Sequence, residues 1–230
     1  MPSGKIIFIT GTDTGVGKTL LTALLLHHLR STGSRALAMK PFCSGGLGDV
    51  RLLQSLQRGE LTDAEMNPFY FKQPVAPLVA LNGARKTIPL RDVLKRIRAV
   101  ASRCDVLLVE GSGGLLVPLS EGYTVADLIA RLDCEIIVAA RNRLGTINHT
   151  LLTVQALTSM GIARGRISVA LMSGAQRDAS CRTNQQVLAK LLQPIQVGKI
   201  PFLGRKMTRK AVIESKYHLV KDALSRLIGK

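Results

Sequence analysis

The segment Thr10–Thr19 contains glycine, lysine and threonine at the spacing of a phosphate-binding loop. It reads TGTDTGVGKT, follows the apolar run Ile6–Ile9 and precedes a helical pattern over Leu20–Leu29. In such a loop, glycines let backbone N–H groups surround phosphate oxygens, and the helix N-terminus adds partial positive charge. The lysine reaches the outer phosphates, and the threonine hydroxyl holds Mg²⁺. The nucleotide contacts expected here are Gly15, Val16, Gly17, Lys18, Thr19 and Leu20.

The loop departs from the strict pattern at its first glycine. That pattern places a glycine five residues before Gly17, where this chain has Thr12, and Gly11 stands one position earlier. A glycine turn that joins a strand to a helix without binding any ligand is the alternative. Because Lys18 and Thr19 directly follow Gly17, we interpret the segment as a variant phosphate loop.

Three more charged residues follow apolar runs. Lys40 comes after the second run, Asp49 lies in the loop beyond it, and Glu110 follows the run Val106–Val109. Ligands of parallel sheets bind outside the carboxyl ends of the strands, so these groups would face the phosphate loop. Magnesium prefers one or two carboxylates together with phosphates and waters, and Thr19, Asp49 and Glu110 make such a set. The open alternatives are a surface lysine, a helix-capping aspartate and a loop glutamate paired with a cation.

The segment Arg143–Thr150 also follows an apolar run and opens a helix. Backbone N–H groups at a helix start, with the side chains of Thr146 and Asn148, suit an anionic group such as a carboxylate. His149 has no second histidine at metal-ligand spacing, which favours a packing role over catalysis or metal binding.

Short apolar runs alternate with helical patterns along the chain. Runs that are apolar throughout are typical of a parallel sheet covered on both faces. We therefore predict an α/β fold in which a mostly parallel sheet carries helices on both faces, as a single domain over residues 1–230. The predicted strands are Ile6–Ile9, Ala36–Met39, Val106–Val109, Ile136–Ala140, Val169–Met172 and Val197–Ile200, and the predicted helices are Leu20–Ser31, Leu90–Ser102, Val125–Arg131, Ile147–Met160 and Asn184–Leu192.

The composition is strongly basic. The 230 residues include 32 Lys and Arg against 15 Asp and Glu, which gives a net charge of +17 at pH 7. Such a surface attracts polyanions, but the cations are spread along the sequence and aromatic residues make up only 3%. We therefore expect no specific nucleic-acid partner. The basic stretch 206–230 has apolar positions at helical spacing and is predicted to be a terminal helix packed on the domain.

The sequence predicts neither a membrane span nor secretion. No apolar stretch approaches the roughly 18 residues of a spanning helix, and the N-terminus lacks a basic region before an apolar one. We expect a cytoplasmic protein with no membrane partner. The four cysteines lack metal-ligand spacing and are interpreted as free thiols; they are Cys43, Cys104, Cys134 and Cys181.

Taken together, five blocks of the sequence resemble the dethiobiotin synthetase family of P-loop NTPase-like proteins. They are GTDTGVGKT at 11–19, KPFCSG at 40–45, EGSGGLLVPL at 110–119, RLGTINHTLLT at 143–153 and KIPFL at 199–203. Single blocks also occur in related P-loop proteins, whereas the set is specific. The resemblance implies a homodimeric, Mg²⁺-dependent enzyme that converts 7,8-diaminononanoate, CO₂ and ATP to dethiobiotin, ADP and phosphate in biotin synthesis.

The resemblance also implies roles for the matched residues. Lys40 would neutralise a substrate carbamate and the transferring phosphoryl group, with Lys18 on the phosphates. Thr14 and Ser44 would hydrogen-bond the diamine or its carbamate. The implied metal ligands are Thr19, Asp49 and Glu110, the nucleotide would also contact Gly111, Ser112 and Gly113, and the substrate carboxylate would bind Thr146, Ile147 and Asn148 across the dimer interface.

Two segments are expected to lie beside the nucleotide base, and only one of them matches the family's usual residues. Pro201, Phe202 and Leu203 match the later segment beside the adenine. Where the family often has Asn-Asp-type residues that read adenine, this chain has Ser173-Gly174. Both segments are expected to contact the nucleotide, and tolerance of nucleotides other than ATP is a hypothesis.

Two other activities are compatible with parts of the sequence. A partition- or septum-type P-loop ATPase, a switch protein acting on DNA or membrane, typically has a lysine early in the loop, where this chain has Asp13. That activity leaves the KPFCSG and RLGTINH blocks unexplained. An amidoligase acting on a corrin precursor needs a glutaminase domain with a cysteine nucleophile, for which 230 residues leave no room.

Overall fold

The fully apolar runs form one central sheet in the computed structural model, which describes residues 4–176, 178–204 and 209–229. Every pairing in this six-stranded sheet is parallel. Its strands are β1 (Lys5–Gly11), β2 (Ala36–Met39), β5 (Val106–Glu110), β8 (Cys134–Asn142), β9 (Ile167–Ser173) and β10 (Gln196–Ile200). They lie in the order β10-β9-β8-β1-β5-β2, so the predicted parallel α/β fold is confirmed.

Helices connect these strands and cover the sheet. The five predicted helices are present, and each begins and ends within two residues of its predicted bounds. They are α1 (Lys18–Ser31), α5 (Leu90–Ala101), α6 (Val125–Ala130), α7 (Thr146–Ser159) and α8 (Asn184–Leu191). Helix α1 packs on β1, β2 and β5, whereas α7 and α8 contact each other and pack on β8 and β10.

Several short elements around the phosphate loop were not predicted. After β2 the chain forms β3 (Phe42–Ser44), α2 (Gly48–Leu56), α3 (Asp63–Met66), β4 (Phe69–Phe71) and α4 (Pro77–Gly83), and after β5 it forms β6 (Pro118–Ser120) and β7 (Tyr123–Thr124). Strand β3 pairs with β4, and β6 pairs with β7. These elements are too short to give a readable period, and their stability depends on packing against the main sheet.

The core beneath the phosphate loop is built from β1 and α1. Phe8 and Ile9 of the strand and Leu21, Leu24 and Leu25 of the helix are at most 1% exposed. Full burial of each such side chain contributes roughly 1.5–3 kcal/mol to folding. The strand and the helix that flank the loop are therefore fixed by the core itself.

The C-terminal segment differs from the single helix predicted over 206–230. Its described part forms α9 (Lys210–Lys216), a 3₁₀ turn (Tyr217–Leu219) and α10 (Lys221–Leu227), while residues 206–208 and 230 lie outside the described residues. The turn brings the Tyr217 hydroxyl within 2.7 Å of His28 Nδ1 on α1. Both short helices contact α1, and α10 also packs on β10.

Two further expectations concern the cysteines and the membrane. All four cysteines are buried free thiols, as predicted. Within the described ranges, no helix combines the length and the apolar character needed to cross a bilayer.

Candidate functional site

The phosphate loop joins the end of β1 to the start of α1. Gly15 and Gly17 have φ values of 69° and 102°, a left-handed conformation that side chains disfavour. A Cβ atom on Gly11 would lie only 2.8 Å from Val16 Cγ2. Gly11 therefore lets the backbone pass close to the Val16 side chain, and a larger residue there would force Val16 to move.

Lys18 lies beneath this loop at the first position of α1. It is 7% exposed, and its Nζ donates a hydrogen bond to the Asp13 carbonyl oxygen at 2.9 Å. Burial lowers the pKa of Lys18 to about 8, an effect that Glu110 opposes and the Lys40 charge reinforces. A phosphate placed beside this ammonium would stabilise its charged form.

Glu110 is the centre of a polar network at the carboxyl end of β5. Its carboxylate is 1% exposed, and Oε1 accepts hydrogen bonds from Thr19 Oγ1 at 2.8 Å and from Lys40 Nζ at 2.9 Å. Lys40 also contacts the carboxylate of Asp49 on α2. Parallel pairing places Ile9 beside Glu110, which brings the ends of β1, β2 and β5 to one edge. The sheet thus gathers four residues that are far apart in sequence.

The two carboxylates outweigh the burial of Lys40. Burial by itself lowers the pKa of Lys40, but the charges of Glu110 and Asp49 and their hydrogen bonds raise the net value above the ordinary one. The side chain therefore remains an ammonium ion throughout the neutral pH range.

The residues around Glu110 fit a magnesium ion. Its second oxygen, Oε2, is buried and has no hydrogen-bond partner among the described residues. Thr19 and Asp49 supply the hydroxyl and carboxylate oxygens that a hard cation prefers. No group of three or more His, Cys, Asp or Glu side chains in the described part of the chain is arranged to hold a metal. A two-carboxylate site agrees with that result, since magnesium takes its remaining ligands from phosphates and water.

One cavity of about 560 Å³ contains most of the predicted catalytic residues. Lys18 and Lys40 both line it, so the two ammonium groups face a common space. Ser44 Oγ is buried there and has no partner among the residues that the structure describes. The other predicted site residues on its wall are Thr14, Gly15, Gly17, Thr19, Leu20, Asp49, Glu110, Gly111, Ser112 and Gly113.

The apolar wall of this cavity comes from two segments of the chain. Val117 lines the cavity, but its neighbour Leu116 is 67% exposed and does not. The wall is completed by the segment Pro74–Pro77, which leads into α4. No local pattern in the sequence places this second segment on the cavity wall.

A second cavity of about 580 Å³ continues on the other side of the phosphate loop. It shares Gly15, Gly17 and Leu20 with the first, so one elongated ligand can contact both. Ser173 Oγ is buried without a partner among the described residues. The predicted base-side residues Ser173, Gly174, Pro201, Phe202 and Leu203 all line this cavity, and the sequence reasoning missed Arg141, Arg143 and Asp178.

The residues predicted to bind the substrate carboxylate lie apart from Lys40. Thr146 is buried at the start of α7 and lines a small space of about 60 Å³ with Thr14. Ile147 is half-buried and Asn148 is exposed, and neither lines the cavities described above. Val16 is buried beneath the loop, so only its backbone is available to a nucleotide.

Comparison with known proteins agrees with this geometry. A family model described as an AAA domain matches residues 5–208. ATP-dependent dethiobiotin synthetase of Bacillus subtilis (strain 168) is 35% identical over 223 residues, which cover 95% of this chain and 94% of that protein. The same-named protein of Anaeromyxobacter dehalogenans (strain 2CP-C) is 38% identical, with 85% and 89% covered.

Solved structures with the same fold include cell-division proteins. The MinC:MinD complex of Aquifex aeolicus superposes with a TM-score of 0.63 at 16% identity, covering 99% of this chain and 97% of that one. The septum site-determining protein MinD of Pyrococcus horikoshii OT3, complexed with Mg-ADP, gives 0.59 at 18% identity, with 98% and 93% covered. Identities this low show the shared fold alone. Since the sequence relatives match nearly end to end and at twice that identity, this chain belongs to the ATP-dependent dethiobiotin synthetase family.

Proposed function

We propose that the chain forms dethiobiotin from 7,8-diaminononanoate, CO₂ and ATP, with release of ADP and phosphate. Family membership supports the reaction. The observation that carries its assignment to this site is the common cavity of Lys18 and Lys40 beside the Thr19–Glu110 hydrogen bond. A phosphate-binding lysine and a second, buried ammonium are what a reaction between a triphosphate and a carbamate requires.

The proposed chemistry has three steps. One substrate amine adds to CO₂ and loses a proton, which gives a carbamate. A carbamate oxygen attacks the γ-phosphorus, the bond to the bridging oxygen breaks, and ADP leaves. The second amine then attacks the carbamate carbon and loses a proton, phosphate departs with the C–O bond electrons, and a five-membered ureido ring closes. No bond to the protein forms, so the residues act by positioning and charge stabilisation.

The two lysines divide the anionic charge between them. Lys18, held at the base of the loop, neutralises the outer phosphates, while Lys40 faces the carbamate and the phosphoryl group in transit. Thr14 and Ser44 supply hydroxyl groups to the diamine or its carbamate from the wall of the same cavity. Removing either ammonium would leave developing negative charge without a partner.

The residues proposed to hold Mg²⁺ are Thr19, Asp49 and Glu110. When bound, the ion supplies charge neutralisation at the β- and γ-phosphates. The remaining nucleotide contacts are proposed on both sides of the loop. They comprise Gly15, Val16, Gly17, Leu20, Gly111, Ser112 and Gly113 near the phosphates and Ser173, Gly174, Pro201, Phe202 and Leu203 near the base.

A homodimer is proposed to complete the substrate site in the cytoplasm. The start of α7, which carries Thr146, Ile147 and Asn148, does not line the cavity of Lys40, so it is proposed to capture the carboxylate of a substrate held by the other protomer. Leu144 and Leu152 are 79% and 57% exposed beside it and provide apolar surface for that contact.

The experiment is direct. Purified protein is incubated with 7,8-diaminononanoate, bicarbonate, Mg²⁺ and ATP, GTP or CTP in turn, and dethiobiotin is detected by mass. Lys18→Ala and Lys40→Ala are expected to lower turnover by two orders of magnitude or more, whereas Lys95→Ala, an exposed lysine on α5, is expected to match the wild type. No product with any nucleotide, or normal turnover in both lysine variants, would reject the assignment.

A further inference from the structure

The carboxylates of Glu110 and Asp49 are contacted by the Lys40 ammonium and are also the proposed ligands of a divalent metal ion. We infer that the Lys40 ammonium and a divalent metal ion compete for Glu110 and Asp49, so that metal loading releases Lys40 into the cavity. This inference rests on the proposed function for the identity of the metal ligands. It adds to that function a mechanism by which metal binding makes Lys40 available to the substrate.

The first step of the argument is the position of the ammonium. Lys40 Nζ lies 2.9 Å from Glu110 Oε1 and also contacts the Asp49 carboxylate. The Lys40 side chain is 10% exposed and that of Glu110 is 0% exposed, so little water screens their attraction. Lys40 therefore sits between the two carboxylates as a cation bridging two anions.

The second step concerns the lone pairs of Glu110. Oε1 accepts two hydrogen bonds, from Thr19 Oγ1 and from Lys40 Nζ, while Oε2 accepts none from the described residues. Oε2 is free to bind a metal, but a metal that binds Asp49 as well meets the ammonium, because Lys40 contacts the Asp49 carboxylate in addition to Glu110 Oε1. A divalent ion and an ammonium held by the same two carboxylates repel each other in a buried site. A metal bound by both carboxylates therefore displaces the ammonium from at least one of them.

The third step is the destination of the released ammonium. Lys40 and Ser44 line the same cavity, and Ser44 Oγ is buried with no partner among the described residues. A displaced Lys40 can therefore move along the wall of the cavity that it already lines. That wall is where the proposed function places the substrate carbamate.

The alternative is that the ion pair of Lys40 with Glu110 and Asp49 has a purely structural role. If the ion pair only stabilised the fold, metal binding would leave Lys40 in place, and the lysine would act solely as a nearby positive charge. A nearby charge would weaken metal binding without any movement of the ammonium group. The test must therefore follow Lys40 itself as well as the affinity of the metal.

The first measurement follows the metal. Mn²⁺, used in place of Mg²⁺, is titrated into nucleotide-free wild type, Lys40→Met and the matched control Lys95→Met, with free Mn²⁺ counted by electron paramagnetic resonance. Methionine keeps the length of the side chain and removes its charge. We expect Lys40→Met to bind Mn²⁺ at least tenfold more tightly than the wild type, and Lys95→Met to be unchanged. Equal affinities, or no detectable binding to either protein, would overturn the inference.

The second measurement follows the lysine itself in the wild-type protein. The ¹⁵N signal of the Lys40 ammonium, assigned by its absence from Lys40→Met, is recorded as Mg²⁺ is added to wild type. The inference expects this signal to shift or to broaden through faster hydrogen exchange, while that of Lys95 stays constant. Tighter Mn²⁺ binding in Lys40→Met with a stationary Lys40 signal would indicate proximity alone and would sink the inference. The outcome does not depend on dethiobiotin formation, so failure of the proposed function would be recognised separately.

Discussion

Gly11→Ala is the substitution whose effect the structure specifies most closely. Gly11 ends β1, and a Cβ atom there would lie 2.8 Å from Val16 Cγ2 and 3.2 Å from Lys18 Nζ. Non-bonded carbons pack at about 3.5–4.0 Å. Val16 must therefore retreat by about 1 Å, and it lies in the loop that carries Gly17 and Lys18.

The magnitude follows from this displacement. Overpacking of this size typically costs about 1–3 kcal/mol of folding free energy, which leaves a domain of this length folded. A misplacement of about 1 Å near a reacting phosphoryl group can lower turnover by roughly 100-fold. We therefore expect a folded Gly11→Ala protein whose dethiobiotin formation falls by about two orders of magnitude.

The assay pairs this variant with Gly165→Ala. A Cβ atom on Gly165 meets nothing within 4 Å, and that residue lies far from the loop, at the opposite end of the sheet. Dethiobiotin formation and the melting temperature are measured for both proteins, and Gly165→Ala is expected to match the wild type. The reasoning about the loop fails if Gly11→Ala keeps turnover within threefold of the wild type.

Three further outcomes are expected. Thr19→Val removes the hydroxyl that donates to Glu110 and should raise the Mg²⁺ concentration needed for half-maximal turnover at least tenfold; an unchanged Mg²⁺ dependence would remove Thr19 from the metal site. Burial lowers the pKa of His27, so the unfolded chain binds more protons, and the free energy of unfolding should fall as the pH drops below about 6.5. Urea unfolding at pH 5 and pH 8 should show a smaller difference for His27→Gln than for the wild type, and equal differences would refute this. Thr124→Ala breaks the capping box with Asp127 and should cost about 1 kcal/mol in chemical denaturation, with activity retained; no loss would mean that the cap is replaced by solvent.

The central sheet could be predicted because its signal is local. Each strand is a short run of consecutive apolar residues. A strand that is buried on both faces shows such a run without alternation of apolar and polar residues, so it can be recognised from the sequence. The run Val106–Val109 is buried throughout, because it lies between β1 and β2 in the sheet and helices α1 and α5 pack on it. The C-terminal segment was harder, because its helical spacing was visible but the turn at Tyr217 depends on a contact with His28.

The candidate site could be predicted only in part. Lys18 and Thr19 were visible because their spacing from Gly17 is fixed within one loop. The wall Pro74–Pro77 was not visible, because it lies about sixty residues away along the chain and reaches the cavity through β4 and α4. The exposure of Leu116 was equally hidden, since the direction of a side chain in a loop depends on the neighbouring elements.

By itself, the sequence determined the parallel α/β architecture and the phosphate loop, and it identified the candidate polar residues of the site. Each of these is encoded in residue types that lie a few positions apart. Only the tertiary structure decided that the Asp49 and Glu110 carboxylates meet around the Lys40 ammonium, and that Lys40 takes an oxygen suited to a metal. The physical reason is that strand order is set by long-range packing. Placing β5 between β1 and β2 brings together groups that no local pattern connects.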